Sequence, residues 1–405
     1  MKLLFLVDQL DRYSLADSDL WTADLAARWV ERGHSVHLIC LLPLESWQEP
    51  FDPPGVTIAR PTPDTFEAEL GEALRHEPDA VHITSRGPFG PRVREILRDL
   101  PVLVDVHDFW PICPNDDLLR RPLLEACAVH HPHAQCGPCA GLSRLRAMDA
   151  RREVAAGARI VIAHSAGQRR RLEAGLGRPV ELVDYGVDPS RFRARPTPPL
   201  EADVLTLLTL PPRPRVLILG PPTQTRGAAH VLDLLVACRA RLRDIEFVVA
   251  GRDATNPDWH HMLLAEAREM GLADHVRALT RVPESDLPAL FAASDVAAAP
   301  WIGNAPGGLG LQQAMSSGLP IVGSPIGAVV ELVSHGQDGL LIPVEQVSPF
   351  SRALCGLLVD DMARIVLGES ARLHAIEHHD RERTLVALEG LYHRLRGTTR
   401  AGVAA

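Results

Sequence analysis

The stretch from Asp295 to Val344 constrains the fold more than any other part of the chain. It reads DVAAAPWIGNAPGGLGLQQAMSSGLPIVGSPIGAVVELVSHGQDGLLIPV. The short apolar run Val296 to Ala299 has the length of a strand and enters a glycine-rich turn, Gly303 to Gly310. A helix rich in Ala, Met and Gln follows, and then a second strand, Pro320-Ile321-Val322-Gly323. Strand, glycine turn, helix, strand is the arrangement that aims backbone N–H groups and a helix N-terminus at a phosphate.

The same alternation runs through the rest of the chain. Lys2 to Val7, Ser35 to Leu41, Asp79 to Ile83, Val102 to Val106 and Ile160 to His164 read as strands. Leu20 to Arg32 and Ala166 to Ala174 read as helices, the first with Trp21, Leu25 and Trp29 on one face. Proline clusters at 195–199 and 211–214 interrupt the pattern, after which it restarts. Val216 to Gly220, Ile245 to Gly251 and Val276 to Leu279 are strands; Gly227 to Leu242, Asp258 to Met270 and Ser285 to Ala293 are helices. Such alternation predicts parallel sheets with helices on both faces. A length of 405 residues suits two domains. The expected division is 1–205 and 206–379, with a last helix, 380–397, crossing back to the first domain.

Composition excludes several classes. A formal charge of −9 argues against a nucleic-acid binder. No apolar run approaches the roughly 18–20 residues that span a bilayer. The N-terminal MKLLFLVDQL is interrupted by Asp8 too soon for a signal peptide. Seven cysteines, an odd number, fit a reducing compartment better than a disulfide framework, so the expected location is the cytoplasm. Arg169-Arg170-Arg171 could face anionic lipid, which would allow peripheral membrane contact at most; a solvated helix face is the favoured reading.

The wording of 295–344 resembles the donor-binding half of GT-B glycosyltransferases, specifically the large retaining family 4. That family carries Glu-Gly-Phe-Gly-Leu-x-x-x-Glu-Ala-Met, then Gly-x-Pro-Val-Val, then Glu-Leu-Val-x-x-Gly-x-x-Gly. This chain keeps Gly308-Leu309, Ala314-Met315, Gly318-Leu319-Pro320-Ile321-Val322, Glu331-Leu332-Val333, Gly336 and Gly339. The resemblance implies an α/β GT-B fold: two Rossmann-like, doubly wound domains with an interdomain cleft. It also implies a nucleotide-diphosphate sugar as donor and transfer with retention. The acceptor would be a hydroxyl of a saccharide, a lipid-linked saccharide or a small molecule.

Breaking the sugar–oxygen bond puts negative charge on the departing diphosphate. The family meets it without a catalytic metal, using basic side chains and a helix N-terminus. Its Gly-Arg-x4-Lys-Gly segment corresponds here to Gly220-Pro221-x4-Arg226-Gly227. Arg226 can bind phosphate bidentately, whereas Pro221 cannot bind it at all. The alternative is that Arg226 merely sits exposed at a helix start. Gly307, Gly308, Leu309 and Gly310 form the expected diphosphate cradle. The two family glutamates fall on Ala305 and Gln313, of which only Gln313 can still hydrogen-bond a ribose hydroxyl. Arg252 and Val282 stand where the family lines its base pocket.

In the first half, His107-Asp108 directly follows a strand, in Val104-Asp105-Val106-His107-Asp108-Phe109-Trp110-Pro111. The resemblance places His107 against the transferred sugar; a structural histidine at a strand end is the alternative. The loop after the first strand, Asp8 to Asp19, lacks the family's glycine pair. Asp17-Ser18-Asp19 within it reads as a helix cap. Cys113, Cys127, Cys136 and Cys139, with histidines among them, are candidate ligands for a structural zinc, with unbridged thiols as the alternative. The losses at Pro221, Ala305, Gln313 and the glycine pair leave a second functional reading open: a non-catalytic GT-B scaffold or partner protein.

Overall fold

The computed structural model describes the chain except residues 47, 88, 122–124, 128–132, 194–212, 221, 252–257 and 403–405. The proline-rich segment at 195–199 and Pro221 therefore lie outside the described residues. The chain divides into two compact units. Unit 1 comprises Met1–Arg12, Ser18–Asp184 and Glu382–Ala405; unit 2 comprises Tyr13–Asp17 and Tyr185–Arg381.

Unit 1 is built on a seven-stranded sheet. In chain order its strands are β1 (Lys2–Val7), β2 (Ser35–Cys40), β3 (Thr57–Ala59), β4 (Ala80–Ile83) and β5 (Val102–Asp105). A separate antiparallel pair, β6 (Leu119–Arg120) and β7 (Glu125–Ala126), intervenes before β8 (Ile160–Ala163) and β9 (Glu181–Leu182). The spatial order is β3-β2-β1-β4-β5-β8-β9, with every pairing parallel. β4, β5 and β8 are buried along their whole length, which explains why they read as continuous apolar runs rather than alternating ones. Core packing on this sheet includes Leu4, Leu6, Ile39, Val81, Val104 and Val161 with Leu70, Val93 and Leu172 from the helices.

Unit 2 repeats the plan. Its sheet contains β10 (Arg215–Leu219), β11 (Glu246–Ala250), β12 (Val276–Leu279), β13 (Val296–Ala299), β14 (Ile321–Gly323) and β15 (Gly339–Leu341), in the order β12-β11-β10-β13-β14-β15. All pairings are again parallel. The chain steps one way from β10 to β12 and then the other way from β13 to β15, so the order reverses between β10 and β13. In unit 1 it reverses between β1 and β4. In open parallel sheets, ligands settle outside the carboxyl ends of the strands at such a reversal.

Helix ends follow local chemistry. The helix Ala166–Leu176 starts at Ser165, whose Oγ accepts from the Gln168 N–H at 3.2 Å, and stops at Gly177 in the left-handed conformation. Asp17 departs from the expected capping role: it is the first residue of the helix Asp17–Glu31, and its carboxylate is engaged elsewhere.

Candidate functional site

In unit 2 the residues at the reversal come from two loops. Gly220 follows β10 and leads into the turn carrying Arg226, whose N–H donates to the Thr223 carbonyl at 3.1 Å. The second loop, after β13, is tied to the first by the N–H groups of Ile302 and Gly303, which donate to the Thr225 carbonyl at 2.9 and 3.1 Å. This loop ends at Gly308, where the helix Leu309–Ser316 begins. Arg226 is therefore not a solvent-exposed helix residue. Its guanidinium lies over the Trp301 ring, 5.1 Å from the centroid, and its Nη2 donates to Asp17 Oδ2 at 2.9 Å. The Gly308 N–H donates to the same carboxylate oxygen at 3.1 Å.

The glycines here leave room for the ends of these two side chains, and Gly220 also takes a positive φ of 97°. A Cβ on Gly307 would stand 1.8 Å from Asp17 Oδ2 and 3.1 Å from Arg226 Nη2; one on Gly220 would stand 2.2 Å from Arg226 Nη1. Gly310 and the buried Leu309 lie in the first turn of the helix, where backbone N–H groups lack intrahelical acceptors. Gln313 is 3 % exposed, and its Oε1 has no hydrogen-bond partner among the described residues. Its neighbour Gln312, by contrast, accepts from the Gly186 N–H at 3.1 Å. Ala305 is buried and offers no side-chain polar group. Val282 is buried three residues beyond β12, on the carboxyl edge of the sheet; Arg252 lies outside the described residues.

In unit 1 the carboxyl ends of β4, β5 and β8 carry a buried polar network that composition alone did not reveal. Asp105 is fully buried. Its Oδ2 accepts from Trp21 Nε1 at 3.0 Å and meets His82 Nε2 at 3.2 Å; its Oδ1 meets His164 Nε2 at 2.6 Å. His82 Nδ1 lies 2.6 Å from the Tyr392 hydroxyl, and His164 Nδ1 lies 2.8 Å from the Val183 carbonyl. Burial pushes the Asp105 carboxyl up, but His107, His164 and His82 outweigh it and hold the group well below the ordinary carboxylate range.

His107 stacks on His164 with centroids 4.7 Å apart and planes at 22°, and its Nε2 is 3.5 Å from Asp105 Oδ1. Gln168 fixes the segment that carries it. Its Nε2 donates to the carbonyls of Val106 and Asp108 at 2.6 and 2.9 Å, and its Oε1 accepts from the His164 N–H at 2.7 Å. Sequence reasoning missed Gln168, His82 and His164. The available signal was a polar residue inside or directly after an apolar strand, as in Ala80-Val81-His82-Ile83.

Asp108 differs from its neighbour. Burial, followed by repulsion from Asp116, pushes its carboxyl up to about 8, against the opposing effect of Arg86 and the Trp110 N–H. The folded chain then holds a proton that the unfolded chain has lost between pH ~4 and pH ~8. Asp108 therefore makes stability fall as pH rises through that window. Asp108→Asn is expected to flatten the decline, read as urea midpoints at pH 5, 7 and 9; an equally steep decline in the variant would overturn the assignment.

The zinc expectation finds no support. No disulfide joins the cysteines. Cys113 packs with Phe109 and Leu118, and burial pushes its thiol up to about 11. Cys139 Sγ takes the Arg121 N–H at 3.4 Å and lies 3.5 Å from Asn115 Nδ2. Among the described residues, the ligand atoms of three such groups come within 4.8 Å of one another only at Asp105, His107 and His164. Both ring nitrogens of His164 are already engaged there. Within the arginine run only Arg170 is exposed. No helix among the described residues is long and apolar enough to cross a membrane.

Comparison with known proteins bears on the family and the fold. The glycosyltransferase family 4 model matches residues 21–191, and the model described as glycosyl transferases group 1 matches residues 213–360. The chain belongs to the family 4 type of GT-B glycosyltransferases. One relative of this family is the GDP-mannose-dependent alpha-(1-6)-phosphatidylinositol monomannoside mannosyltransferase of Mycobacterium tuberculosis. It is 28 % identical over 230 residues, covering 55 % of this chain and 58 % of the relative. A second is the D-inositol 3-phosphate glycosyltransferase of Corynebacterium aurimucosum, 33 % identical over 174 residues, covering 39 % of this chain and 40 % of the relative. The chain thus spans little more than half the length of the first of these relatives, and less of the second. The crystal structure of HepE from Anabaena in complex with UDP-glucose superposes with a TM-score of 0.69 at 18 % identity, covering 99 % of this chain and 100 % of that one. The GT-B expectation of two Rossmann-like domains is therefore met.

Proposed function

We propose that this family 4 protein transfers a hexosyl group from a nucleotide-diphosphate sugar to a hydroxyl acceptor, with retention and without a catalytic metal. The observation that carries this reading is the seat of the Asp17 carboxylate. An anionic oxygen is held between a guanidinium N–H at 2.9 Å and the Gly308 N–H at 3.1 Å, beside a helix N-terminus. Those are the groups a diphosphate oxygen requires, and they would stabilise the charge that develops on the leaving group. The orphaned Gln313 Oε1 suits a ribose hydroxyl. His107, steadied by Gln168 and stacked on His164, suits a hydroxyl of the transferred sugar. The departing diphosphate would take the acceptor's proton, so no separate protein base is assigned. The HepE complex contains UDP-glucose and the mycobacterial relative is named for GDP-mannose, so either base is a candidate.

Isothermal titration with UDP, GDP, ADP and TDP and their hexose conjugates tests the reading. Micromolar binding of one nucleotide series is expected; no binding of any would sink it. Asp17 competes with the diphosphate for Arg226 and Gly308. Removing its charge in Asp17→Asn is expected to tighten nucleoside diphosphate binding about 5- to 30-fold, from a charge-assisted hydrogen bond of roughly 1.5–3 kcal/mol partly regained by the ligand. Unchanged or weaker binding in the variant would contradict the competition.

The Asp17 contact also motivates the second reading. A cradle already filled by the protein's own carboxylate, next to an apolar Ala305, suits a scaffold that has given up catalysis. That reading requires nucleotide binding to be absent in both the wild type and Asp17→Asn.

A further inference from the structure

Unit 1 contains a second built constellation at its own sheet reversal, between the neighbouring strands β1 and β4. Asp8 directly follows β1, and Ser85 and Arg86 follow β4. Asp8 Oδ1 accepts from the Ser85 hydroxyl at 2.5 Å and from the Arg86 N–H at 2.9 Å; its Oδ2 accepts from Arg86 Nε at 3.0 Å. Arg86 Nη1 lies 3.5 Å from Asp116 Oδ2, and Arg151 Nη1 lies 3.3 Å from Asp116 Oδ1. Arg151 Nε donates to the Arg86 carbonyl at 2.7 Å. Arg86 is thus clamped through both its backbone and its Nε, yet its side chain remains 44 % exposed. Asp8, Asp116 and Arg151 are 15 %, 22 % and 22 % exposed. The remaining guanidinium N–H groups make no hydrogen bond among the described residues. Asp108, next to His107 in the chain, lies close enough to feel both Arg86 and Asp116.

A preorganised, half-open guanidinium with unspent donors is built to receive something. What it can receive follows from the charges. Two arginines face Asp8 and Asp116, so the positive charge is already matched. A sugar hydroxyl both donates and accepts, and an adjacent carboxylate and guanidinium offer it one partner of each kind. A phosphate only accepts. It would find the arginines compensated and would sit against two carboxylates, a like-charge juxtaposition that rejects ligands.

We infer that the acceptor presents an uncharged polyhydroxyl group to the Asp8–Arg86 pair, and that this subsite discriminates against phosphorylated acceptors. The inference rests on the glycosyl-transfer reading above for the word acceptor; the subsite itself does not. It also separates this chain from relatives whose names specify inositol 3-phosphate or a phosphatidylinositol mannoside.

Ligand-observed NMR on the full chain tests it. The probes are myo-inositol, methyl mannoside, methyl glucoside and neutral disaccharides, each paired with its phosphate monoester. Neutral probes are expected to bind at least tenfold more tightly than their phosphorylated partners. Arg86→Gln is expected to weaken neutral binding at least fivefold, read well below the variant's own melting temperature, which falls because Asp8 and Asp116 lose an ion-pair partner. Asp8→Asn is expected to narrow the discrimination; should that variant not fold, Arg86→Gln decides alone. Preference for the phosphorylated partners, neutral binding indifferent to Arg86, or no neutral binding at all would overturn the inference. Nucleotide titrations run in parallel keep the two claims apart. Saccharide binding without nucleotide binding removes the transferase reading and leaves the subsite, and the converse removes the subsite alone.

Discussion

Replacing Arg226 with alanine is expected to lower kcat/KM for the nucleotide-sugar donor by about 10²- to 10³-fold, the effect of deleting one donor aimed at developing negative charge. The guanidinium stands at the unit 2 reversal, and its partner contact is a charged one at 2.9 Å. Its position is held from several sides: Gly220 and Gly307 leave it room, and the Trp301 ring lies beneath it. Arg226→Lys keeps a point charge but loses the planar fork, so an intermediate loss of roughly tenfold is expected. Among the described residues, removing Arg226 also leaves the Asp17 carboxylate, 7 % exposed, with only the Gly308 N–H. Part of any defect could therefore be a stability cost. The double variant Arg226→Ala/Asp17→Asn separates the two, since it relieves the stranded charge without restoring a phosphate ligand. Recovery of donor turnover in the double variant would move Arg226 from the reaction to the fold.

The sequence was most informative where one residue type admits one physical role. β4, β5, β8 and β13 were visible because strands buried on both faces must be apolar throughout. The Gly307–Gly310 turn was visible because clustered glycines mark a turn: Gly308 takes a φ of +150°, a conformation that L side chains rarely adopt. The helices Leu142–Gly157 and Asp361–His378 were not seen. In the first, Arg144, Arg146, Arg151 and Arg152 interrupt the apolar pattern; in the second, Met362, Ile365, Val366 and Leu373 are exposed, so its apolar residues do not mark one face. Asp17 was misread for a different reason. Its local signal, an acidic residue before an apolar helix, is a capping signal, while its actual partner lies 209 positions away. Local chemistry cannot report a contact at that separation. The same limit hid the Asp8–Arg86 pair, which is 78 positions apart and becomes adjacent only because β1 and β4 are neighbours in the sheet.

Asp105→Ala is expected to destabilise unit 1 by about 3–5 kcal/mol, a large part of what a domain of this size possesses. The carboxylate is the common partner of Trp21 Nε1, His82 Nε2 and His164 Nε2, all of them buried. Alanine would strand three buried polar groups in one step, and it would loosen Tyr392 in the last helix through His82. The melting temperature should fall on the order of 10 °C, followed by the fluorescence of the buried Trp21, Trp29 and Trp110. Asp105→Asn keeps the volume and one acceptor, so a smaller loss is expected. The pH dependence has a definite sign. A carboxyl whose folded value is depressed contributes stability that is fully present above its unfolded value, about 3.9, and is lost as pH falls through the folded value. The gap between wild type and Asp105→Asn should therefore be constant from pH 5 to pH 8 and shrink only in stronger acid. A gap that closes near pH 6 would mean that the histidines, and not the carboxylate, set the charge of the network. His107, stacked on His164, would then change its hydrogen bonding within the physiological range.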